Sequence, residues 1–384
     1  MIRSRRDFLA TTAVVGAGPW LWGPALALAR VESDRRFVFV IQRGAADGLN
    51  TLIPYADPDY ARLRGPLALA PEAASRLDGT FALHPSMVEA SKLYAAGQAL
   101  LVHAVASPYR DRSHFDGQNV LETGGVSPYR LKAGWLNRLL PLLPGGADKA
   151  IALAPTVPMA LRGPVEVGSY APSTLPQPSD DLLARVSDLY RGDAQLHALW
   201  AAAMENRAMA GQAGQRQDAT ALGKLAASFL AKPDGPRIAM IETGGWDTHS
   251  AQNPRLAAQL RSLDALVASL RDGLGEAWRT TTVLVATEFG RTAAANGTGG
   301  TDHGTGAVAM LFGGAVQGGR VLADWPGLGP SSLHEGRDLR PTQDLYAIMA
   351  TSAGEAFGVD PQKLARAVFP EARVSSFPSG LVHA

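Results

Sequence analysis

Acidic and histidine residues recur in this chain where an apolar run of strand length gives way to a polar turn. Asp47 follows the run Phe37 to Gln42, Asp247 and His249 follow Ile238 to Glu242, and Glu288 follows Thr282 to Ala286. Asp302 and His303 lie close behind, in a glycine-rich loop from Asn296 to Gly306. Carboxylates and imidazoles together are the ordinary ligands of hard and borderline divalent ions. The set has material for one or two such ions (zinc, magnesium, manganese or calcium), and a pair would sit about 4 Å apart as in two-metal hydrolytic sites. Each residue also has a plainer use. Asp47 could cap a turn or helix, His249 could serve as a hydrogen-bonded loop residue, and Asp302 with His303 could order the loop. Their joint placement after strands is what turns the list into a metal site.

The attacking group is either a side chain, for which there is one candidate, or a metal-bound water. Arg112-Ser113-His114-Phe115-Asp116 lies where a strand hands over to a helix. A hydroxyl at a helix amino end is favourably placed for anions and developing negative charge, so Ser113 is the candidate, activated by metal coordination. Its other reading is a helix N-cap. Arg43, Arg112 and Arg291 are the guanidinium groups that could hold a phosphate or sulfate bidentately, with at least one expected to be structural instead.

The elements that must position these residues alternate along the chain. Apolar runs at Phe37 to Gln42, Ala99 to Ala106, Ala150 to Ala154, Ile238 to Glu242, Thr282 to Ala286 and Ala307 to Phe312 read as strands buried on both faces. Helical spacing marks Pro85 to Ala96, His114 towards Glu122, Trp135 to Leu143, Arg255 to Arg271 and Gln343 to Phe357. Asp180 to about Lys232 is rich in Ala and Leu, broken near Gly211 to Gly214, and reads as a helical insertion or cap after a Pro- and Ser-rich connection from Ala171 to Ser179. This alternation predicts an α/β fold with a doubly wound, mainly parallel sheet and helices on both faces. Ligands then bind at the carboxyl ends of the strands.

The chain has 384 residues and is 46% hydrophobic and 18% charged, enough for one large α/β unit with a substantial core. It has no cysteine, which removes disulfides, thiolate ligands and a cysteine nucleophile together. Ser4-Arg5-Arg6-Asp7-Phe8-Leu9 matches the twin-arginine export pattern, an apolar stretch runs from Ala10 to Leu28, and Ala27-Leu28-Ala29 is a small-x-small cleavage site. Glycines and prolines weaken that stretch as a spanning helix. Residues 1–29 are therefore expected to be a signal read by the twin-arginine machinery, and 30–384 a single periplasmic or secreted domain with no stable membrane span. Taking Arg3, Arg5, Arg6 and Asp7 from 36 basic and 35 acidic residues leaves 33 and 34, a net charge of −1. That balance gives no footprint for nucleic acid.

The leader together with RGAADGLNTLIPYADPDY, RSHFDGQ, GGWDTH, TEFGRT and GGTDHG resembles the bacterial family called domain of unknown function 1501, over nearly the whole mature chain and in the same order. That family is similar to the alkaline phosphatase and sulfatase superfamily. The resemblance implies an alkaline-phosphatase-like core, two metals and a serine, threonine or formylglycine nucleophile that hydrolyses phosphate or sulfate esters. Carried over by motif, Asp47 matches the early acidic ligand, Ser113 the nucleophile region, Asp247 and His249 the middle ligand pair, and Asp302-His303 the late histidine motif. Glu288 stands where many relatives have an Asp-His pair, so Phe289 replaces an imidazole. Ala106 occupies the place of the modified residue in the sulfatase signature, which speaks against a formylglycine mechanism.

Three functions compete on these residues. The first is metal-assisted hydrolysis of a phosphate or sulfate ester carried by a small molecule or polymer. The second is a non-catalytic metal-binding envelope protein on the same fold. The third, a metal-free serine hydrolase, lacks any G-x-S-x-G elbow.

Overall fold

Phe37 to Gln42 offers no polar position for a solvent-facing side, and strand β1 (Arg36–Gln42) is buried along its whole length. Its side chains alternate between two separate cores. Phe37, Phe39 and Ile41 enter one, Val38 and Val40 the other. A sheet covered on both faces follows from that alternation.

The structure is a computed structural model that describes residues 34–144, 149–171, 180–210, 218–374 and 378–383. The expected leader and cleavage site, residues 1–29, and most of the Pro- and Ser-rich connection lie outside the described residues. The remaining strands are β2 (Leu52–Ile53), β3 (Ser75–Arg76), β4 (Ala82–Leu83), β5 (Ala99–Ala106), β6 (Ala150–Leu153), β7 (Gly168–Ser169), β8 (Ile238–Thr243), β9 (Thr281–Thr287), β10 (Ala307–Phe312), β11 (Arg320–Leu322) and β12 (Gln343–Asp344). Strands β2, β4 and β3 make a small antiparallel sheet. The others form one sheet in the order β11-β5-β10-β9-β1-β8-β6-β7, with β12 also on β5. Every pairing in it is parallel except the two made by β10.

The helices are α1 (Gly48–Thr51), α2 (Tyr60–Arg64), α3 (Val88–Ala95), α4 (His114–Thr123), α5 (Trp135–Leu139), α6 (Asp180–Tyr190), α7 (Ala194–Ala210), α8 (Ala219–Leu230), α9 (Gln252–Leu274), α10 (Leu345–Phe357) and α11 (Pro361–Val368). Trp135, Tyr346 and Leu364 bring α5, α10 and α11 into the core on one face, while Leu93, Leu225 and Leu260 bring α3, α8 and α9 into the other. The doubly wound, mainly parallel α/β expectation therefore holds. Of the segment read as an insertion, α8 packs on α9 and buries Leu225 and Phe229, so it is a layer of the domain. Only α6 and α7 stand outward, with Leu182, Leu189, Leu196 and Leu199 exposed. No helix among the described residues is long and apolar enough to cross a membrane.

One helix boundary needs correction. The late helix begins at Leu345, because Gln343 and Asp344 pair with Val105 and Ala106 as β12 and the Asp344 carboxylate caps the backbone N–H of Tyr346.

The directions of the strands decide which residues meet. Strands β1, β5, β8 and β9 all end at one edge of the sheet, with Gln42 level with both Thr243 and Thr287. Strand β10 runs the opposite way, with Ala307 opposite Val105, so its amino end lies at that same edge. The loop before it, which carries Asp302 and His303, is delivered to the carboxyl ends of the others.

Asp47 anchors this edge from inside. It caps α1 through the N–H groups of Leu49 and Asn50, its oxygens lie 2.7 and 2.9 Å from the Arg64 guanidinium, and it accepts from the Gln252 amide. Both side chains are wholly buried. Removing one partner of a buried pair strands the other charge, so Arg64→Met is expected to lower stability by about 3–5 kcal/mol in urea unfolding. A loss below about 1 kcal/mol would mean the pair is dispensable.

A second expectation comes from His103 and His84. His103 sits wholly buried, with Nε2 donating to the Leu52 carbonyl at 2.8 Å and Nδ1 accepting from the Ala104 N–H, and burial pushes its pKa down to about 4. Burial does the same to His84, also to about 4. Each folded value lies below the unfolded one, so the unfolded chain takes up protons first. Stability is full above pH ~6.5 and falls as pH drops towards 4, by up to roughly 3 kcal/mol per histidine. Urea midpoints measured across that window should fall in the wild type and fall less in His103→Gln; parallel curves would show that His103 is not the source.

Candidate metal centre

Three imidazoles and one carboxylate face one another at this edge. Asp247 and His249 come from the loop after β8, His303 from the loop before β10, and His114 from the first turn of α4. The Nε2 atom of His249 lies 3.0 Å from both Asp247 Oδ1 and His303 Nε2. His303 Nε2 lies 3.4 Å from Asp247 Oδ1, and His114 Nε2 lies 3.5 Å from Asp247 Oδ2. Ligand atoms of His114, Asp247 and His303 fall within 4.8 Å of one another.

The other nitrogen of each ring is fixed by an acceptor. His114 Nδ1 lies 2.8 Å from Glu288 Oε1, His249 Nδ1 lies 3.0 Å from Asp302 Oδ1, and His303 Nδ1 lies 2.9 Å from the Arg112 carbonyl. A carboxylate or carbonyl can only accept, so Nδ1 of each ring carries a proton and the Nε2 atoms are left facing inward, that of His249 also within reach of the Asp247 carboxylate. The Nε2 atoms of His249 and His303 lie 3.0 Å apart, so at most one of them carries a proton. The Nε2 of His114 is buried and has no hydrogen-bond partner at all. A buried polar nitrogen without a partner is costly, and a cation held by His114, Asp247 and His303 would satisfy it.

The charges reinforce this arrangement. Burial would raise the Asp247 pKa, but the Arg291 guanidinium, 2.5 Å away, outweighs it and holds the carboxyl below its usual range. Glu288 is likewise driven up by its full burial and brought down further by His114, Gln118 and the Gly44 N–H, so it too is held ionised. Its hydrogen bond raises His114 in turn, against burial. Burial lowers His303, which keeps that ring neutral. Asn296 and His249 hold Asp302 below its ordinary value.

Local sequence explains the close approach. Gly44 has φ +119°, and a Cβ there would lie 2.7 Å from the Asp247 nitrogen, so the β1 turn can pass beneath Asp247 only with glycine. A Cβ at Gly300 would lie 2.3 Å from the His249 carbonyl carbon. The glycine-rich loop thereby closes on His249, whose carbonyl accepts from Asn296 and Thr298. Phe289 is buried behind the rings, stacked on His114 at 5.1 Å and 5.3 Å from His303. The residue in place of an imidazole is thus an apolar wall.

Of the residues expected as ligands, Asp247, His249 and His303 come together with free ligand atoms. Glu288 and Asp302 stand one step back, each receiving a ring N–H. Asp47 has its oxygens engaged by Arg64, Gln252 and the α1 cap. Of the one or two ions expected, the described residues offer a group for one, His114, Asp247 and His303, with His249 beside it. The three arginines are also engaged. Arg43 binds Glu122, Glu242 and Gln118; Arg112 binds Glu335 and Asp338; Arg291 binds Asp247 and Thr301. Ser113 is the N-cap residue of α4, yet its side chain makes no capping hydrogen bond, and its backbone N–H donates to the Tyr109 hydroxyl at 3.1 Å. The histidine that sequence reasoning passed over is His114. Its signal was position alone, one residue beyond the candidate hydroxyl in a strand-to-helix turn.

A family model described as protein of unknown function (DUF1501) matches residues 34–369. Among solved structures, the C-terminal periplasmic domain of EcEptC from Escherichia coli, in complex with zinc, is 11% identical, with a TM-score of 0.37 and 74% of each chain covered. A 2-O GAG sulfatase is 12% identical with a TM-score of 0.40, covering 90% of this chain and 76% of that one. The phosphonate monoester hydrolase of Agrobacterium radiobacter is 11% identical with a TM-score of 0.33, covering 86% and 74%. No curated protein matches.

Metal-free protein is expected to take up one zinc ion per chain by elemental analysis. Replacing a ligand, as in His303→Ala or Asp247→Ala, should weaken competition against a chelating dye by more than about 100-fold. Zinc no higher than in a histidine-free control protein, or unchanged affinity in both variants, would remove the centre.

Proposed function

This chain belongs to the DUF1501 family, and we propose that it is an exported, zinc-dependent hydrolase of a phosphate or sulfate ester. The observation that carries this reading is the convergence of the Nε2 atoms of His114, His249 and His303, the first buried and unpartnered, on the Asp247 carboxylate. His114, His249, His303 and Asp247 would hold the cation, and a set of imidazoles with one carboxylate suits zinc among the common divalent ions. Zinc bound there supplies a Lewis acid that polarises an ester oxygen.

The chain's own groups supply the rest. Glu288, Asp302 and the Arg112 carbonyl hold the rings in their ligating tautomer. Arg291 keeps Asp247 ionised. Phe289 closes the rear of the pocket to water. Ser113 adjoins His114 at a helix amino end, with its hydroxyl bonded to that of Tyr109 instead of capping the helix, and is the side-chain candidate for the attacking group. Export through the twin-arginine route would deliver a folded, metal-loaded protein to the periplasm or beyond.

A second reading, a non-catalytic metal-binding protein, draws on the engagement of Arg43, Arg112 and Arg291 by carboxylates of the same chain. The two separate in one assay. Zinc-loaded protein should hydrolyse an aryl phosphate or aryl sulfate, and Ser113→Ala should lower kcat on the order of a thousandfold while still binding zinc. Full zinc occupancy with no turnover on either ester would favour the second reading.

A further inference from the structure

Arg112 is bent into an unusual shape to reach His303. Its backbone lies at φ +59°, the left-handed region that strains a residue other than glycine. That conformation accompanies a carbonyl aimed at His303 Nδ1, 2.9 Å away. The side chain of the same residue is clamped. Its Nε lies 2.9 Å and its terminal nitrogen 2.8 Å from Asp338 Oδ2, and the terminal nitrogen lies 2.5 Å from Glu335 Oε2. Asp338 is wholly buried and forms backbone bridges to both Thr292 and His334. Arg337, beside it, donates to the His303 carbonyl at 2.7 Å. Residues 335–338 therefore grip both ends of the link between Arg112 and His303, although none of them offers an atom to the metal.

We infer that the Arg112–Asp338–Glu335 clamp is a positioning device for the metal centre, which holds the Arg112 carbonyl in place to fix the tautomer and direction of the His303 ring. This rests on the reading of His114, Asp247, His249 and His303 as a zinc site. The clamp spends two carboxylates on one guanidinium, which balances the strained backbone with charge. An orienting partner of a ligating histidine changes metal affinity by about 10–100-fold without touching the ion.

The test uses the mature protein stripped of metal and titrated with zinc against a chelating dye, with cobalt(II) as a spectroscopic probe. Arg112→Ala must keep the left-handed backbone with no clamp, and should weaken zinc by about 10–100-fold and shift the cobalt d–d bands. Arg112→Gly lacks the clamp but adopts that backbone freely, so it should lose several-fold less than Arg112→Ala. Asp338→Asn should resemble Arg112→Ala. The exposed Glu335→Gln, which leaves the buried half intact, should lose only a few-fold and keeps the test open if Asp338→Asn does not fold. Leu364→Ala, a core truncation, serves as the control for general destabilisation and should leave zinc affinity and the cobalt spectrum unchanged. Zinc binding that is equal in wild type, Arg112→Ala and Asp338→Asn would overturn the inference while sparing the site. So would an equal loss in Leu364→Ala. A wild-type chain that binds no zinc overturns the site and the inference together.

Discussion

Three imidazole nitrogens crowded against one another and a carboxylate are hard to hold in place, and the molecule must be stiff enough to keep them there. Left to themselves the rings would rotate, and one Nε2 would find a proton or a donor. Each is prevented by an acceptor on its far side: Glu288 for His114, Asp302 for His249 and the Arg112 carbonyl for His303. The acceptors come from three different places, the end of β9, the loop before β10 and the turn before α4. No single loop movement can release all three.

Stiffness at that edge has a visible source. The carboxyl ends of β1, β8 and β9 are locked in register, and the backbone N–H groups of the β1 turn are taken up by Glu288 and Thr287 of β9. Below them Asp47, Arg64 and Gln252 form a buried network that continues through Gln252 to Thr248 and Thr301, the neighbours of His249 and Asp302. The acidic residue nearest the start of the chain thus bears on the centre through packing and hydrogen bonds, and its own oxygens are occupied.

How much of this could be read in the sequence follows from how local each feature is. Strands buried on both faces announce themselves as unbroken apolar runs, so β1, β5, β6, β8, β9 and β10 were legible within a residue or two at each end. Asp247, His249 and His303 were legible because each sits in a turn next to such a run. The reversed direction of β10 was not, since pairing direction is decided across the sheet by β5 and β9. The same non-locality hid Arg64, which lies 17 residues from Asp47 and claims it. Glu288 was recognised as part of the site, but whether a carboxylate ligates or orients depends on which atom of His114 faces it. His114 itself was obscured by its neighbour Ser113. In the first turn of a helix, consecutive side chains project about 100° apart, and the sequence does not say which one looks inward.

The arginines argue for the cation from the opposite direction. A site for phosphate or sulfate needs positive charge, and the sequence offers Arg43, Arg112 and Arg291. Each is neutralised by the chain itself, through Glu122 with Glu242, Glu335 with Asp338, and Asp247. Around the converging imidazoles the carboxylates of Asp247, Glu288 and Asp302 are each engaged, by Arg291, His114 and His249. With these guanidinium groups turned to holding acidic residues in place, the hydrolase proposed above would depend on its cation to attract an anionic ester. The carboxylates that take up the guanidinium and ring N–H groups are also those that hold the imidazoles in position.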